Sequence, residues 1–317
     1  MKILSVMAAL ILALAAGQLA ACDACKLTDS LEMLRNKQDL KYRWSSDTFL
    51  DYRNFDRINP SVALAINDQE NKHIHGVMDE WFITERIGYR VNLDLEVGIS
   101  QGYRNLRQYN VVDPLLLGQH EFSNGWTDLE LDAKWRFKRQ VPDGFPLDLS
   151  LYGIVKFPTG ETNERGLQHI LIDPENQPGS GSWDGTLGML ASKTWGKWAA
   201  TGSVSGTIRG EGTQNFKGGD SIRISVTGTR QVTPDSWSWK AYAGLGVQGF
   251  INFQGRINGE VDRNHGGQFI FLVPQVSVQP IERLSLTLAA PMPVYQEITG
   301  THQEQDFGIQ FNIGVRF

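Results

Sequence analysis

Phe307-Gly308-Ile309-Gln310-Phe311-Asn312-Ile313-Gly314-Val315-Arg316-Phe317 puts an apolar side chain at every odd position and a small or polar one at every even position. Side chains alternate across a strand, so such a stretch carries one face for lipid or core and another for water. The same period recurs upstream in 284–290, 237–247, 222–226, 198–208, 183–191, 147–157, 129–137 and 91–99, and more weakly in 268–279, 78–88 and 60–67. Together these segments make about twelve strands, an even number of the kind single-chain bacterial barrels have.

The connections sharpen the reading. Outer-membrane barrels alternate short periplasmic turns with longer outer loops. With residue 317 on the periplasmic side, 298–305, 251–267, 209–219, 158–182, 101–125 and 68–77 fall as outer loops. Between them, 280–282, 232–236, 196–197, 139–145 and 88–90 fall as inner turns. A soluble sandwich has no reason to obey this parity. Trp195, Trp198, Trp237, Trp239, Phe137 and Phe317 sit beside the inner turns, where an interfacial aromatic belt belongs.

The N-terminus reads as an export signal. Met1-Lys2 is followed by an apolar run from Ile3 to Ala16 and small residues up to Cys22, a charged, apolar and cleavable order too short for a membrane-spanning helix. The expected organisation is a signal peptide over 1–21, a periplasmic or plug segment over 22–44 with a short helix from Thr28 or Asp29 to Leu40, and a barrel over 45–317 in the outer membrane. Leu19-Ala20-Ala21-Cys22 fits a lipoprotein box and makes Cys22 a candidate for lipidation. Cys22 and Cys25 also stand in disulfide or metal-binding spacing, and they are the chain's only cysteines. The net charge of −5 comes without a basic stripe, which argues against a nucleic-acid partner.

The face opposite the apolar one is highly charged. Asp94, Glu96, Asp128, Glu130, Asp132, Lys134, Arg136, Arg223 and Lys240 cannot face hydrocarbon cheaply, so they are expected to line a lumen. Either an aqueous channel, with an acidic wall opposite a basic one, or an interior cross-linked by ion pairs fits. The expected partners are small-molecule solutes and outer-membrane lipids, and no cofactor motif stands out.

Three resemblances add to this. A last strand ending on Phe317 resembles the signal read by the barrel-assembly machinery of outer membranes. Lys156-Phe157-Pro158-Thr159-Gly160 and Gly179-Ser180-Gly181-Ser182-Trp183-Asp184 resemble a family of outer-membrane barrels assigned to transport in the MetA pathway of phenol degradation. That likeness covers roughly 150–317 and implies a channel for aromatic or other organic compounds. The motifs themselves are turn chemistry. Finally, His120-Glu121-Phe122-Ser123-Asn124-Gly125 is similar to the His-x-Ser-Asn-Gly segment of the outer-membrane phospholipase family, with one extra residue. Residues three apart on a strand face opposite ways, so His120 is expected not to activate Ser123. All six histidines (His73, His75, His120, His169, His265 and His302) are expected in outer loops, dispersed rather than gathered on a metal.

Overall fold

The computed structural model describes residues 41–55, 75–110, 120–141, 144–166, 169–263, 265–299 and 304–317. The export signal, Cys22 and Cys25, the 28–40 helix, the 60–67 strand, His73 and His302 lie outside them. Twelve antiparallel strands form the wall: β1 (Trp44–Phe55), β2 (His75–Arg90), β3 (Leu95–Asn110), β4 (His120–Trp126, continued by Leu129–Lys138), β5 (Asp148–Phe157) and β6 (Asp184–Trp195). They continue as β7 (Trp198–Arg209), β8 (Ser221–Gln231), β9 (Lys240–Asn252), β10 (Gly267–Ile281), β11 (Leu284–Ala289, continued by Met292–Ile298) and β12 (Phe307–Arg316). Each strand pairs with its sequence neighbour, and β12 returns to β1 from Ser45↔Arg316 to Asn54↔Phe307. Trp44 and Phe317 exchange two 3.0 Å backbone hydrogen bonds at that junction. Closure pairs the first strand with the last, as a strand-built membrane wall requires, and leaves one short stretch outside the ladder.

The expected turn parity is present: 91–94, 139–147, 196–197, 232–239 and 282–283 lie at one end, and the long 158–183, 210–220 and 253–266 connections lie at the other. Several boundaries move. Residues 91–94 are a turn rather than the start of a strand, and Trp237 and Trp239 belong to the turn before Lys240. β3 runs on through 101–110 and β4 starts at His120, inside the expected 101–125 loop. His75 and His120 therefore open strands rather than sit in loops. β1 lies where the sequence offers no clean alternation, because Ser46 and Thr48 interrupt its outward row and Phe49 interrupts its polar inward row.

Outward residues are apolar and exposed, reaching 69 % for Leu187 and 70 % for Ile208, as a wall facing hydrocarbon demands. Two aromatic girdles bound the band. At the short-turn end Trp44 packs on Tyr89 (4.7 Å) and Trp237 on Trp239 (4.9 Å), with Trp195 opposite Trp198. At the long-loop end Tyr52 packs on Trp81 (4.5 Å) and Phe157 on Trp183 (4.8 Å).

One seam interrupts the wall. β12 follows β11 only as far as Ala289↔Gln310, whereas β10 continues along Met292–Ile298. Pro291 and Pro293 have no N–H to donate, so a regular ladder cannot continue there. Beyond that point the Gly308 N–H reaches the Pro291 carbonyl (3.0 Å), and Gln296 and Gln305 exchange hydrogen bonds of 2.8 and 3.0 Å.

Candidate functional site

The lumen has two unlike halves. β1 to β5 turn Asp51, Arg53, Glu80, Arg86, Glu96, Arg104, Asp132 and Arg136 inward. β6 to β11 turn mostly hydroxyls and amides inward, joined in pairs such as Thr186 to Thr207 (2.8 Å), Ser203 to Ser225 (2.7 Å) and Ser277 to Thr287 (2.8 Å). Asp184, Arg209, Arg223 and Lys240 are the charged members of that second half.

Within the charged half, acids and bases interleave. Arg86 lies 2.7 Å from Asp132 and 3.1 Å from Glu96, and Arg90 lies 3.5 Å from Glu96. The first of these contacts needs space that only glycine leaves, since a Cβ at Gly98 would run into the Arg86 guanidinium and the Asp132 carboxylate. Asp94, in the turn before β3, accepts hydrogen bonds from Arg136 (3.1 Å) and Arg139 (2.6 and 2.7 Å). Those bonds, Arg139 first, outweigh burial and hold the Asp94 carboxyl below the usual carboxylate range. Glu130 and Lys134 are inward and half-buried on β4.

The expected segregation into an acidic wall facing a basic one is therefore absent: basic side chains from β2, β4 and β5 sit between the carboxylates. Two further residues differ from a simple lining role. The Arg223 guanidinium lies 4.3 Å from the centre of the Phe250 ring. Lys240 Nζ donates to the carbonyls of Asp235 (2.9 Å) and Trp237 (2.6 Å), so it ties the 232–239 turn at the barrel end.

The 158–183 connection folds inward and crosses the lumen. Its two ends meet on Asp128, which sits where the two segments of β4 join. The Asp128 carboxylate accepts the Gly160 N–H (2.9 Å), the Ser180 N–H (2.9 Å) and the Ser180 hydroxyl (2.6 Å). Lys156 Nζ lies 3.0 Å from Asp128 and 2.8 Å from Asp184. Gly160 and Gly179 touch backbone to backbone, since a Cβ at Gly179 would stand 2.6 Å from Gly160. The Lys156–Gly160 and Gly179–Asp184 motifs are thus the two feet of one inward loop.

The crown of this loop is a single turn, Pro174–Asn176, held from opposite sides of the barrel. On one side Arg104 of β3, itself 2.7 Å from Glu80, donates to the carbonyls of Glu175 and Gln177 at 2.8 Å each. On the other, the Glu175 carboxylate meets Nε2 of His265, whose Nδ1 meets Asp262. β3 and β9 stand half a ring apart, and His265 lies in the connection leaving β9. Burial pulls the His265 pKa down, but Glu175 and Asp262 outweigh it, and the net is a pKa above the ordinary histidine range.

Two cavities flank the crossbar, and Glu175 lines both. One of about 270 Å³ is bounded by Arg104, Asp128, Glu130, Lys156, Arg209 and Phe216. The other, of about 220 Å³, is bounded by Phe55, Phe269, Phe271 and Ile298, with Gln296, Gln305 and Asn252 and the Glu175–His265 pair as its polar members. Gln296 and Gln305 are also the residues that bridge the wall seam. Nothing in the local sequence pattern signals that the 158–183 loop turns inward or that His265 meets it.

Ser123 is buried, with 1 % exposed and no hydrogen-bond partner for its hydroxyl among the described residues. The ladder from Tyr103↔Trp126 to Tyr109↔His120 has no bulge, which keeps residues 120 and 123 on opposite faces of the sheet.

No family model matches the chain, and no curated protein matches it in sequence. Among solved structures, the chain is similar to an outer-membrane channel from Pseudomonas putida F1, at 13% identity and a TM-score of 0.63, over 87% of this chain and 96% of that one. It is also similar to the β domain of the Bordetella autotransporter BrkA, at 10% identity and a TM-score of 0.51, over 87% of this chain and all of that one (100%). The fold is that of the outer-membrane β-barrels.

Proposed function

We propose that this chain is an outer-membrane channel for small organic solutes. The observation that carries the proposal is the closed barrel whose lumen is crossed by a folded-in loop, with cavities of about 270 and 220 Å³ lying against Glu175 at its crown. A structural barrel has no need of an interior loop anchored at both feet and held at its crown, whereas a selective channel needs a constriction. The charged half of the lumen is largely cross-linked to itself. The cavity beside the seam, by contrast, offers Phe55, Phe269 and Phe271 with a few amides and, at the crossbar, the paired Glu175 and His265, a lining that suits small aromatic molecules carrying a polar group. This agrees with the resemblance to barrels of phenol degradation, and the seam gives an apolar solute a short path between that cavity and the lipid. Export by the N-terminal signal and assembly through the strand ending in Phe317 belong to the same reading.

Permeation into liposomes containing the refolded mature chain tests it. Sugars, amino acids, organic acids and a phenol are compared with empty vesicles, and faster entry of the phenol than of sugars of similar size is expected. No entry of any solute above the empty-vesicle rate would refute the channel. Entry of sugars and organic acids without the phenol would refute the aromatic preference.

A further inference from the structure

The outward faces of the twelve strands are apolar through the middle of the band, with one exception among the described residues. Ser46, Thr48, Glu85 and Gln101 form a polar island on β1, β2 and β3. Their outward direction follows from their neighbours. Asp47 and Arg86 turn inward toward the lumen network, while Trp44, Tyr52, Trp81 and Tyr89 share the parity of the island and form the girdles. Thr48 stands opposite Glu85, and Glu85 opposite Gln101.

The island also lies at mid-depth. Thr48 is four residues from Trp44 and four from Tyr52, and Glu85 is four from Trp81 and four from Tyr89. An ionisable side chain facing hydrocarbon at that depth costs free energy that an Ile or Leu would not. Ser46 and Thr48 each donate a 2.5 Å hydrogen bond to one oxygen of the Glu85 carboxyl. A carboxyl has about four acceptor positions, so capacity remains on its outward side. Among the described residues the Gln101 amide has one long contact, 3.5 Å to the Thr127 carbonyl.

We propose that this island is the contact through which two copies of the barrel associate side by side in the membrane. The occupant is a second copy because the island is complementary to itself. A two-fold axis along the membrane normal, passing near Glu85, turns the β1 side of one copy toward the β3 side of the other. The Gln101 amide of each copy then approaches the Ser46–Glu85–Thr48 cluster of the other, its N–H groups donating to the acceptor positions that cluster has left. Lipid tails offer none of these groups a hydrogen bond, so burying the island between two barrels satisfies it where lipid does not. The inference needs only a membrane-embedded barrel and holds whether or not the lumen conducts.

The test measures energy transfer between donor- and acceptor-labelled copies of the full mature chain in phospholipid vesicles, over a range of protein-to-lipid ratios. The native chain is expected to associate in a concentration-dependent way. Glu85→Leu should weaken association by about tenfold, equivalent to about 1.4 kcal/mol. Glu85→Gln, which keeps the hydrogen-bonding, should restore most of it. Gln101→Leu provides a second variant that leaves the Ser46–Glu85–Thr48 cluster intact, and it should weaken association as well. A native chain that stays monomeric at every ratio overturns the proposal, as does association that Glu85→Leu and Gln101→Leu both leave unchanged.

Discussion

Replacing Asp128 by alanine should release the crossbar and widen the lumen without unfolding the wall. The Asp128 carboxylate accepts three hydrogen bonds from the feet of the inward loop, at 2.9, 2.9 and 2.6 Å. Hydrogen bonds to a charged group contribute roughly 1.5–3 kcal/mol each. Lys156 stays paired with Asp184 in the variant, which limits the damage. At the low end of that range the three bonds sum to about 4.5 kcal/mol of loop anchoring, which corresponds to a more than thousandfold change in the ratio of released to anchored loop, enough to make a rare state the common one. The barrel ladder does not pass through these bonds, so the folded wall should survive, as judged by the heat-dependent shift in gel mobility. Single-channel conductance should rise, and vesicles should admit larger sugars. Asp128→Asn, which retains one acceptor oxygen, should fall between. Conductance unchanged or lowered in a folded Asp128→Ala barrel would refute the reasoning, since the loop would then not limit the path.

The contact of His265 with Glu175 and Asp262 makes the same loop sensitive to pH. The latched pKa is raised, so the bridge is fully formed below the free histidine value and is lost as pH rises through the latched value. Conductance should therefore increase with pH across that window, and His265→Ala should be open and flat throughout, as read in planar bilayers. At the short-turn end the sign is opposite. The Asp94 clamp on Arg139 and Arg136 has a depressed pKa, so it contributes above the ordinary carboxylate value and is lost as pH falls through the depressed one. Asp94→Asn should flatten the acid limb of urea unfolding followed by tryptophan fluorescence. Arg86→Met leaves Asp132 and Glu96 without their shared cation, and the loss should be roughly 3–5 kcal/mol by the same unfolding assay, the range for removing one partner of a buried pair.

The twelve-strand wall was legible wherever its two faces differed. Leu187, Met189 and Ala191 alternate with Gly188, Leu190 and Ser192 closely enough to mark a strand, and the last eleven residues do so without exception. β1 and the second half of β3 were hidden because Ser46, Thr48, Gln101, Asn105 and Arg107 place polar groups on the outward face, where the periodic signal needs apolar ones. The polar island thus obscured the strands and created a surface feature at once. Of the residues expected to line the lumen, Glu96, Glu130, Asp132, Lys134, Arg136 and Arg223 turn inward on their strands, Asp128 sits at the joint between the two segments of β4, Asp94 lies in a turn, and Lys240 closes another.

The sequence by itself determined the architecture, the parity of the connections and the mid-chain motifs, because those depend on period-two patterning and local turn chemistry. Tertiary structure decided what the motifs are for. Asp128 meets Gly160 and Ser180 across 32 and 52 residues of chain, and His265 meets Glu175 across 90. No local pattern encodes such meetings. They follow from barrel closure, which sets β3 opposite β9 and leaves the space between them for a loop to cross.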